Sequence, residues 1–306
     1  MDTPPQVLLT RRIPGAVFSR LESACDVDLY DGPSPLPADE LKRRLAGKRA
    51  LICVLTDRVD GALLDAAPDL EIVANIAVGY DNIDVPAAKS RGVVVTNTPD
   101  VLTEATAELT WGLILAAARR ITEGDRLVRR GDWKGWALDF MLGMELRGKQ
   151  LGIIGRGRIG RAVAAKAPAF GMTAVFAKHD MSLDEMLVSS DVISIHAPST
   201  PETRHLIDRK ALARMKRSAI LVNTARGTLV DEEALVWALG EHLIAGAALD
   251  VYEKEPVVHP GLLTMEHVVL APHLGSATRE TRTAMADLAV ANVLAVLDGR
   301  PPVTPV

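Results

Sequence analysis

The sequence predicts an α/β protein with two doubly wound parallel sheets. Short apolar or β-branched runs alternate with helical patterns along most of the chain, which is typical of βαβ units. This alternation is interrupted once, by a long helical pattern from about Thr103 to Arg130, and then resumes. We therefore expect two domains of the Rossmann-like or flavodoxin-like kind, with a cleft between them.

The composition is that of a globular protein with a sizeable core. The 306 residues are 48% hydrophobic and 24% charged, with a net charge of -4. No Lys/Arg-rich block indicates nucleic acid or an anionic membrane as a partner, so small molecules are favoured. Cys25 and Cys53 have no metal-ligand spacing and fit a reduced compartment. With no signal-peptide pattern and no membrane-length apolar run, we expect a cytoplasmic protein without a bound metal.

The first domain is predicted to be discontinuous. Its strands follow from five apolar runs, QVLLT, VDLY, ALICVL, EIVANI and VVVTN. The last helical pattern, roughly Ser276–Leu297, is long enough to cross back to this domain. The predicted boundaries are residues 1–98 plus 285–306 for the first domain and 99–284 for the second.

The long helix over 103–130 contains LTWGLILAAARR, which is apolar nearly all round. Such a helix is either buried within one chain or covered by a partner. We favour a contact between two copies that also packs on the second sheet. Trp133 and Trp136, just beyond it, are expected to pack at the base of this helix, with closure over a cleft or contact with a second copy as the alternatives.

The second domain begins with a glycine-rich loop. Its strands are predicted at LGIIG, TAVFA, VISI, AILVN, AGAALD and VVLAP. Gly155, Gly157 and Gly160 follow the first of these in G-x-G-x-x-G spacing and open a helix, so a dinucleotide pyrophosphate is expected there. Arg158 either adds a phosphate contact or is a solvated residue of the first helical turn.

Three chemically reactive residues follow three other strands of the second domain. Arg226, Glu255 and His273 should all lie at the edge that carries the glycine loop, where ligands bind in such sheets. A guanidinium can hold a carboxylate through two hydrogen bonds, and a histidine next to a carboxylate can transfer a proton. The set fits reduction of a 2-oxo acid by hydride, although each residue alone is more often an ordinary loop or packing residue.

Two further polar residues end strands of this sheet. Asp250 either meets a nicotinamide carboxamide or caps a turn. His196 has no evident acidic partner and is interpreted as structural or close to the cofactor.

Six segments of the chain are those of a known family, in the same order and spacing: NIAVGYDNIDV, TPDVLTEATAEL, LGIIGRGRIG, LVNTARGTLVDEEAL, ALDVYEKEP and APHLGSAT. Through them the chain resembles the D-isomer-specific 2-hydroxyacid dehydrogenases over nearly its whole length. Within that family it is most similar to glyoxylate/hydroxypyruvate reductases, as AVGYDNID and LTEAT indicate.

The resemblance implies a substrate domain, a cofactor domain, NAD(P)-linked reduction of a 2-oxo acid and a homodimer. It implies that Arg226 binds the substrate carboxylate, that His273 is the acid/base with Glu255 as its partner, and that the loop with Val78 and Gly79 presents N–H groups to that carboxylate. The implied cofactor contacts are Thr106, Gly155, Gly157, Arg158, Ile159, Gly160, Lys178, His179, Thr224, Ala225, Asp250, His273 and Gly275.

The residues at the adenosine end favour NADP(H), with NAD(H) as the alternative. In register with the family, Lys178 and His179 occupy the place where an acid would bind the ribose hydroxyls. If the alignment with the family is shifted by two residues, Asp180 is the acid that binds the ribose. A separate alternative is that Lys178 simply points to solvent.

Compared with members of the resembled family, the chain is also about a dozen residues shorter between this strand and the next helix. In the family those residues leave room for a further crossover and a short edge strand. Either the adenosine pocket is truncated and more open, which should weaken cofactor binding, or a loop is missing from this stretch.

Two other functions stay open at this point. One is a dehydrogenase for another D-2-hydroxy acid, either one similar to D-lactate or 3-phosphoglycerate. The segment ANIAVGYDNID, however, contains no basic residue that would bind the phosphate group. The other is a non-catalytic, NAD(H)-sensing scaffold similar to the family's corepressors.

Overall fold

The computed structural model describes residues 3–32 and 35–306. Contacts divide the chain into two compact units: residues up to Leu102 together with Ser276–Val306, and Thr103–Gly275. These boundaries differ from the predicted ones by four residues at the first junction and by nine at the second. Each unit contains one sheet, and both sheets are entirely parallel, which confirms the predicted fold class.

The first unit is a five-stranded sheet with helices on its faces. Its strands are β1 (Gln6–Leu9), β2 (Asp26–Leu29), β3 (Ala50–Cys53), β4 (Ile72–Asn75) and β5 (Val94–Thr96), in the order β2-β1-β3-β4-β5. Its helices are α1 (Gly15–Glu22), α2 (Ala38–Leu45), α3 (Gly61–Asp65), α4 (Val85–Ser90) and α12 (Arg279–Leu297).

Both faces of this first sheet are buried. Successive side chains of a strand point to opposite faces, so Leu8 and Leu51 enter one core cluster while Val7 and Ile52 enter another. The second cluster also receives Val290 and other residues of α12, which explains why the chain returns to this unit. Burial on both faces is the reason that inner strands such as β1 and β3 read as nearly continuous apolar runs, whereas the edge strand β2 is only partly buried.

The second unit is a six-stranded sheet in the order β11-β10-β9-β8-β6-β7. Its strands are β6 (Gln150–Ile154), β7 (Thr173–Phe176), β8 (Val192–Ile195), β9 (Ile220–Asn223), β10 (Gly246–Leu249) and β11 (Val268–Leu270). Its helices are α5 (Thr103–Ala118), α6 (Ile121–Arg129), α7 (Arg158–Lys166), α8 (Leu183–Ser189), α9 (Arg209–Arg214), α10 (Glu232–Gly240) and α11 (Pro260–Leu263). β7 forms one edge of the sheet, and the short connection after it leads directly into α8.

The prediction of one helix from Thr103 to Arg130 is wrong, because the chain breaks between α5 and α6. Arg120 adopts a left-handed conformation with φ of 53°, and the carbonyl of Ala118 accepts the N–H of Met144 at 2.7 Å. Arg120 also forms an ion pair with Glu123 in the first turn of α6. The hydrogen bond from Met144, which lies beyond α6, is therefore made at the residue where α5 ends. The local sequence around Ala118 does not indicate this long-range contact.

The two parts of this region differ in burial. α5 packs on the sheet and buries Trp111, whose indole N–H donates to the carbonyl of Val163 at 3.0 Å. Trp133 and Trp136 are 55% and 79% exposed, so the expectation that they pack at the base of the helix is wrong. Within the described ranges, no helix combines the length and the apolar character needed to span a bilayer.

Candidate active site

The glycine loop joins β6 to α7 at the carboxyl edge of the second sheet. Gly155 has φ of 104°, and a Cβ there would lie 2.5 Å from the carbonyl oxygen of His196, so only glycine fits this turn. A Cβ on Gly160 would lie 2.1 Å from the carbonyl oxygen of Gly155, so α7 can begin close to the strand. The loop is thus held against the sheet by close backbone contacts.

The N-terminus of α7 fits a dinucleotide pyrophosphate. Gly157 is the N-cap residue and supplies no side-chain hydrogen bond, and the first turn contains no acidic residue. A Cβ on Gly157 would meet nothing within 4 Å, so open space adjoins this turn. Its N–H groups, together with the helix dipole, favour phosphate. Ile159 packs against the buried side chains of the core.

The loops after β9 and β10 are brought together by a glycine. A Cβ on Gly227 would lie 1.8 Å from the carbonyl carbon of Tyr252, so any other residue would push these loops apart. Arg226 precedes this glycine, and its carbonyl accepts the side-chain N–H of Asn223 at 2.8 Å. Its guanidinium donates to the carbonyl of Ala225 at 2.9 Å. The position of Arg226 thus depends on Gly227, which sequence reasoning did not single out.

His273 and Glu255 form a hydrogen-bonded pair. Nδ1 of His273 lies 2.8 Å from Oε2 of Glu255. Since an ionised carboxylate only accepts, Nδ1 carries the hydrogen, and Nε2 is the ring nitrogen left to act on a ligand. The backbone of His273 has φ of 55°, and its N–H donates to the carbonyl of Asp250 at 2.9 Å.

The ionisation of Glu255 is set by opposing effects. Burial disfavours the charged form of Glu255. The hydrogen bond and charge of His273, the N–H of Tyr252 and the charge of Arg226 outweigh this effect, so the pKa of Glu255 is lowered.

The phenol of Tyr252 donates to the carbonyl of Ala271 at 2.9 Å and links the loops after β10 and β11. Burial is the main reason that the pKa of Tyr252 rises to about 12, so the phenol stays a donor.

Asp250 anchors the loop that carries His273. Its two carboxylate oxygens accept the N–H groups of Leu274 at 2.6 Å and Gly275 at 2.8 Å. Burial raises the pKa of Asp250 in spite of these hydrogen bonds. The hydroxyl of Thr106 donates to the carbonyl of Gly275 at 3.1 Å.

Threonines connect α5 with the loop after β9. The hydroxyl of Thr110 donates to the carbonyl of Thr106 at 2.8 Å and lies 3.0 Å from the hydroxyl of Thr224. The N–H of Ala225 donates to Oδ1 of Asn223 at 3.0 Å. The structure therefore brings together, at one edge of the sheet, the predicted cofactor residues of α5 and of the loops after β9 and β11.

Hydrogen bonds hold His196 at the carboxyl edge of the second sheet. Its Nε2 lies 2.8 Å from the hydroxyl of Ser194, and its N–H donates to the carbonyl of Ile154 at 2.7 Å. Although the residue as a whole is only partly buried, desolvation of the ring lowers the pKa of His196 to about 3. A neutral, hydrogen-bonded ring fits the structural interpretation of this residue.

The chain turns tightly after β7, at the predicted adenosine end of the site. Lys178 has φ of 62°, and its N–H donates to the carbonyl of Met181 at 2.8 Å. Both oxygens of Asp180 are engaged, one by the N–H of Phe176 at 2.8 Å and one by Nδ1 of His179 at 2.7 Å. The hydrogen bond with His179 is the main reason that the pKa of Asp180 is lowered.

Sequence reasoning missed a basic residue here. The guanidinium of Arg156 lies over the ring of Phe176, 5.6 Å from its centroid. Arg156 thus lies close to the basic residues at the end of β7. It stands between the first two glycines of the motif, and this position in the sequence is the signal that could have identified it.

Val78 and Gly79 belong to the other unit, in the segment after β4, and their role stays a prediction.

Comparisons with known proteins agree with a dinucleotide site in the second unit. A family model described as "D-isomer specific 2-hydroxyacid dehydrogenase, NAD binding domain" matches residues 111–275. A glyoxylate reductase from Aeropyrum pernix is 50% identical over 317 residues, covering 97% of this chain and 94% of that protein.

Two solved structures are similar over nearly their whole length. The TT0316 protein from Thermus thermophilus has a TM-score of 0.93 at 48% identity, covering 98% of this chain and 99% of that chain. The NADPH-dependent glyoxylate/hydroxypyruvate reductase from Sinorhizobium meliloti, in complex with NADP and malonate, has a TM-score of 0.89 at 35% identity, covering 99% and 97%.

The fold, the dinucleotide loop and these relationships define an NAD(P)-dependent oxidoreductase that acts on a CH–OH group. The chain belongs to the D-isomer-specific 2-hydroxyacid dehydrogenase family, as the resemblance in the sequence implied.

The lowered pKa of Glu255 predicts a pH-dependent contribution to stability. A carboxyl group with a lowered pKa stabilises the fold above its unfolded pKa, and this contribution is lost as the pH falls through the lower, folded value. We expect Glu255→Gln to reduce the free energy of unfolding by about 1–2 kcal/mol at pH of about 6, because a charge-assisted hydrogen bond is lost. The difference should shrink below pH of about 4, the ordinary range of glutamate.

Urea unfolding across this pH range measures the difference. Glu233→Gln is the control, because Glu233 also pairs with a histidine, His259, but its side chain is 86% exposed. A difference for Glu255→Gln that stays constant as the solution is acidified would contradict the prediction.

Proposed function

We propose that this protein reduces a small 2-oxo acid, glyoxylate or hydroxypyruvate, to the corresponding 2-hydroxy acid. The observation that carries the proposal is the His273–Glu255 pair, with the charge of Arg226 acting on it, at the sheet edge that holds the glycine loop. The named activities of the Aeropyrum pernix and Sinorhizobium meliloti relatives support this substrate class.

Each member of the site has a distinct role in the proposed reaction. Arg226 holds the substrate carboxylate through its planar guanidinium. His273 gives the proton on Nε2 to the carbonyl oxygen, while Glu255 orients the ring through its hydrogen bond with Nδ1. A bound reduced nicotinamide supplies the hydride. Asp250 keeps the His273 loop in place through its two backbone hydrogen bonds.

The adenosine end supports a preference for NADPH. The one acid in the turn after β7, Asp180, already accepts a protein donor on each oxygen, and these hydrogen bonds hold it to its own turn. Lys178 and Arg156 instead offer positive charge, which suits a 2′-phosphate, and His179 adjoins Lys178. The absence of a nucleic-acid partner and the cytoplasmic location stay predictions.

Steady-state turnover tests the proposed function. We expect glyoxylate and hydroxypyruvate to be reduced with a higher kcat/KM than pyruvate, bulkier 2-oxo acids or 3-phosphohydroxypyruvate, and each more efficiently with NADPH than with NADH. The panel also separates an enzyme from a cofactor-sensing scaffold. If no 2-oxo acid is reduced with either cofactor, the proposed function fails.

The acid/base role of His273 predicts a large loss of turnover on substitution. We expect His273→Asn to lower kcat by about 10²–10⁴-fold, the usual contribution of a general acid. Asparagine is chosen because it tolerates the left-handed backbone at this position but transfers no proton.

His205→Asn is the matched control. His205 also has a positive φ, of 49°, and its Nε2 lies 2.7 Å from a carboxylate oxygen of Glu253, but we give it no part in the reaction. The control should keep kcat. Equal rates for His273→Asn and the unchanged protein would refute the assigned mechanism.

We further propose that the protein is a homodimer, held by the exposed apolar residues of α6 and the segment after it. Each residue of this set has more than half of its surface in contact with solvent, and the set consists of Ile121, Val128, Trp133, Trp136, Leu138 and Leu142. A concentration of exposed apolar side chains of this kind marks an interaction surface. The homodimer implied by the family resemblance makes a second copy the partner that we propose.

Light scattering after size exclusion tests the dimer. We expect a mass twice the 32.8 kDa of one chain, and the single-chain mass for the double variant Trp136→Glu, Leu138→Glu. Val188→Glu, at a similarly exposed apolar position on α8, should stay dimeric. A single-chain mass for the unchanged protein would exclude the dimer.

A further inference from the structure

The segment that follows β4 is held by three donors, all within the first unit. Three successive carbonyl oxygens accept hydrogen bonds: that of Ala77 from the N–H of Thr98 at 2.9 Å, that of Val78 from Nδ2 of Asn97 at 2.8 Å, and that of Gly79 from Nδ2 of Asn75 at 2.9 Å.

The two asparagines are themselves firmly held. Asn75 is fully buried and Asn97 is 9% exposed. The N–H of Asn97 donates to the carbonyl of Thr304, and its own carbonyl accepts the hydroxyl of Thr304 at 2.7 Å. Asn75 also reaches Oδ1 of Asn82 at 3.2 Å, and Asn82 donates to the carbonyl of Asp57. These amides therefore act as fixed donors to the segment.

The direction of a carbonyl fixes the direction of the next N–H. The C=O of one residue and the N–H of the following residue share a planar trans peptide and point in opposite directions. Thr98 thereby orients the N–H of Val78, and Asn97 orients the N–H of Gly79. Throughout the described residues, neither of these two N–H groups donates to a protein acceptor.

We infer that Asn97 is a positioning residue for substrate binding: its side-chain amide fixes the peptide that carries the N–H of Gly79, so that this group can receive the carboxylate of a 2-oxo acid. Asn75 holds the next peptide in the same way. This inference rests on the proposed function, and it assigns a reason for two buried asparagines that the acid/base chemistry does not use. Because the N–H groups of Val78 and Gly79 are already oriented before the substrate binds, the free-energy cost of ordering the segment on binding is lower.

A donor fixed for a carboxylate acts on binding more than on the chemical step. The carboxylate is present in the substrate and in the transition state alike, so losing the donor should raise KM and leave kcat nearly unchanged. We expect Asn97→Ala to raise KM for glyoxylate about tenfold, with kcat and the KM for NADPH within about twofold of the unchanged protein.

Asn97→Asp separates donation from packing. Aspartate has nearly the same shape but, when ionised, lacks the N–H donor and repels the carbonyl of Val78. If the amide acts as a donor, Asn97→Asp should raise KM at least as much as Asn97→Ala. If it only fills space, the aspartate variant should be the milder of the two, which would overturn the inference.

A stability control completes the test. Leu63→Ala removes a buried side chain of α3 in the same unit without touching the segment, so it should lower Tm and leave KM unchanged. A KM for glyoxylate within about twofold of the unchanged protein in folded Asn97 variants overturns the inference while the proposed function stands. If the unchanged protein reduces no 2-oxo acid, the proposed function fails and this inference fails with it.

Discussion

The contact between Gly227 and the backbone of Tyr252 is the constraint on which the candidate active site depends. Because Gly227 has no side chain, the loop after β9 lies directly against the loop after β10. The N–H of Tyr252 then donates to Oε1 of Glu255 at 3.0 Å, and its phenol reaches the carbonyl of Ala271 in the loop after β11. One glycine thus allows three strand-end loops to assemble as a unit.

Two carboxylates of this assembly ionise differently although both accept backbone hydrogen bonds. Burial is the largest effect on each. For Glu255 it is outweighed by His273 and Arg226, so the pKa falls. For Asp250 burial dominates, and the charge of Glu255 adds to it, so the pKa rises. Glu255 is therefore suited to remain charged and orient His273, while Asp250 serves as the anchor of the adjoining loop.

The inner strands were predictable because they are buried on both faces of their sheets. Continuous apolar runs such as ALIC and VISI coincide with β3 and β8, and the glycine spacing of the loop after β6 was evident as well. The region after Thr103 was not predictable to the same degree. The helical pattern continues through Arg120, and the backbone leaves the helix there while Met144 bonds to the carbonyl of Ala118.

The sequence by itself determined the fold class, the family, and which reactive residues stand at the strand ends, because these follow from local patterns and order along the chain. Only the tertiary structure decided that Nε2 is the nitrogen of His273 left to act on a ligand, that both oxygens of Asp180 are occupied, and that Asn97 holds the carbonyl of Val78. Each of these is a hydrogen bond whose geometry depends on how the backbone turns and which segments pack together, so no local pattern encodes it.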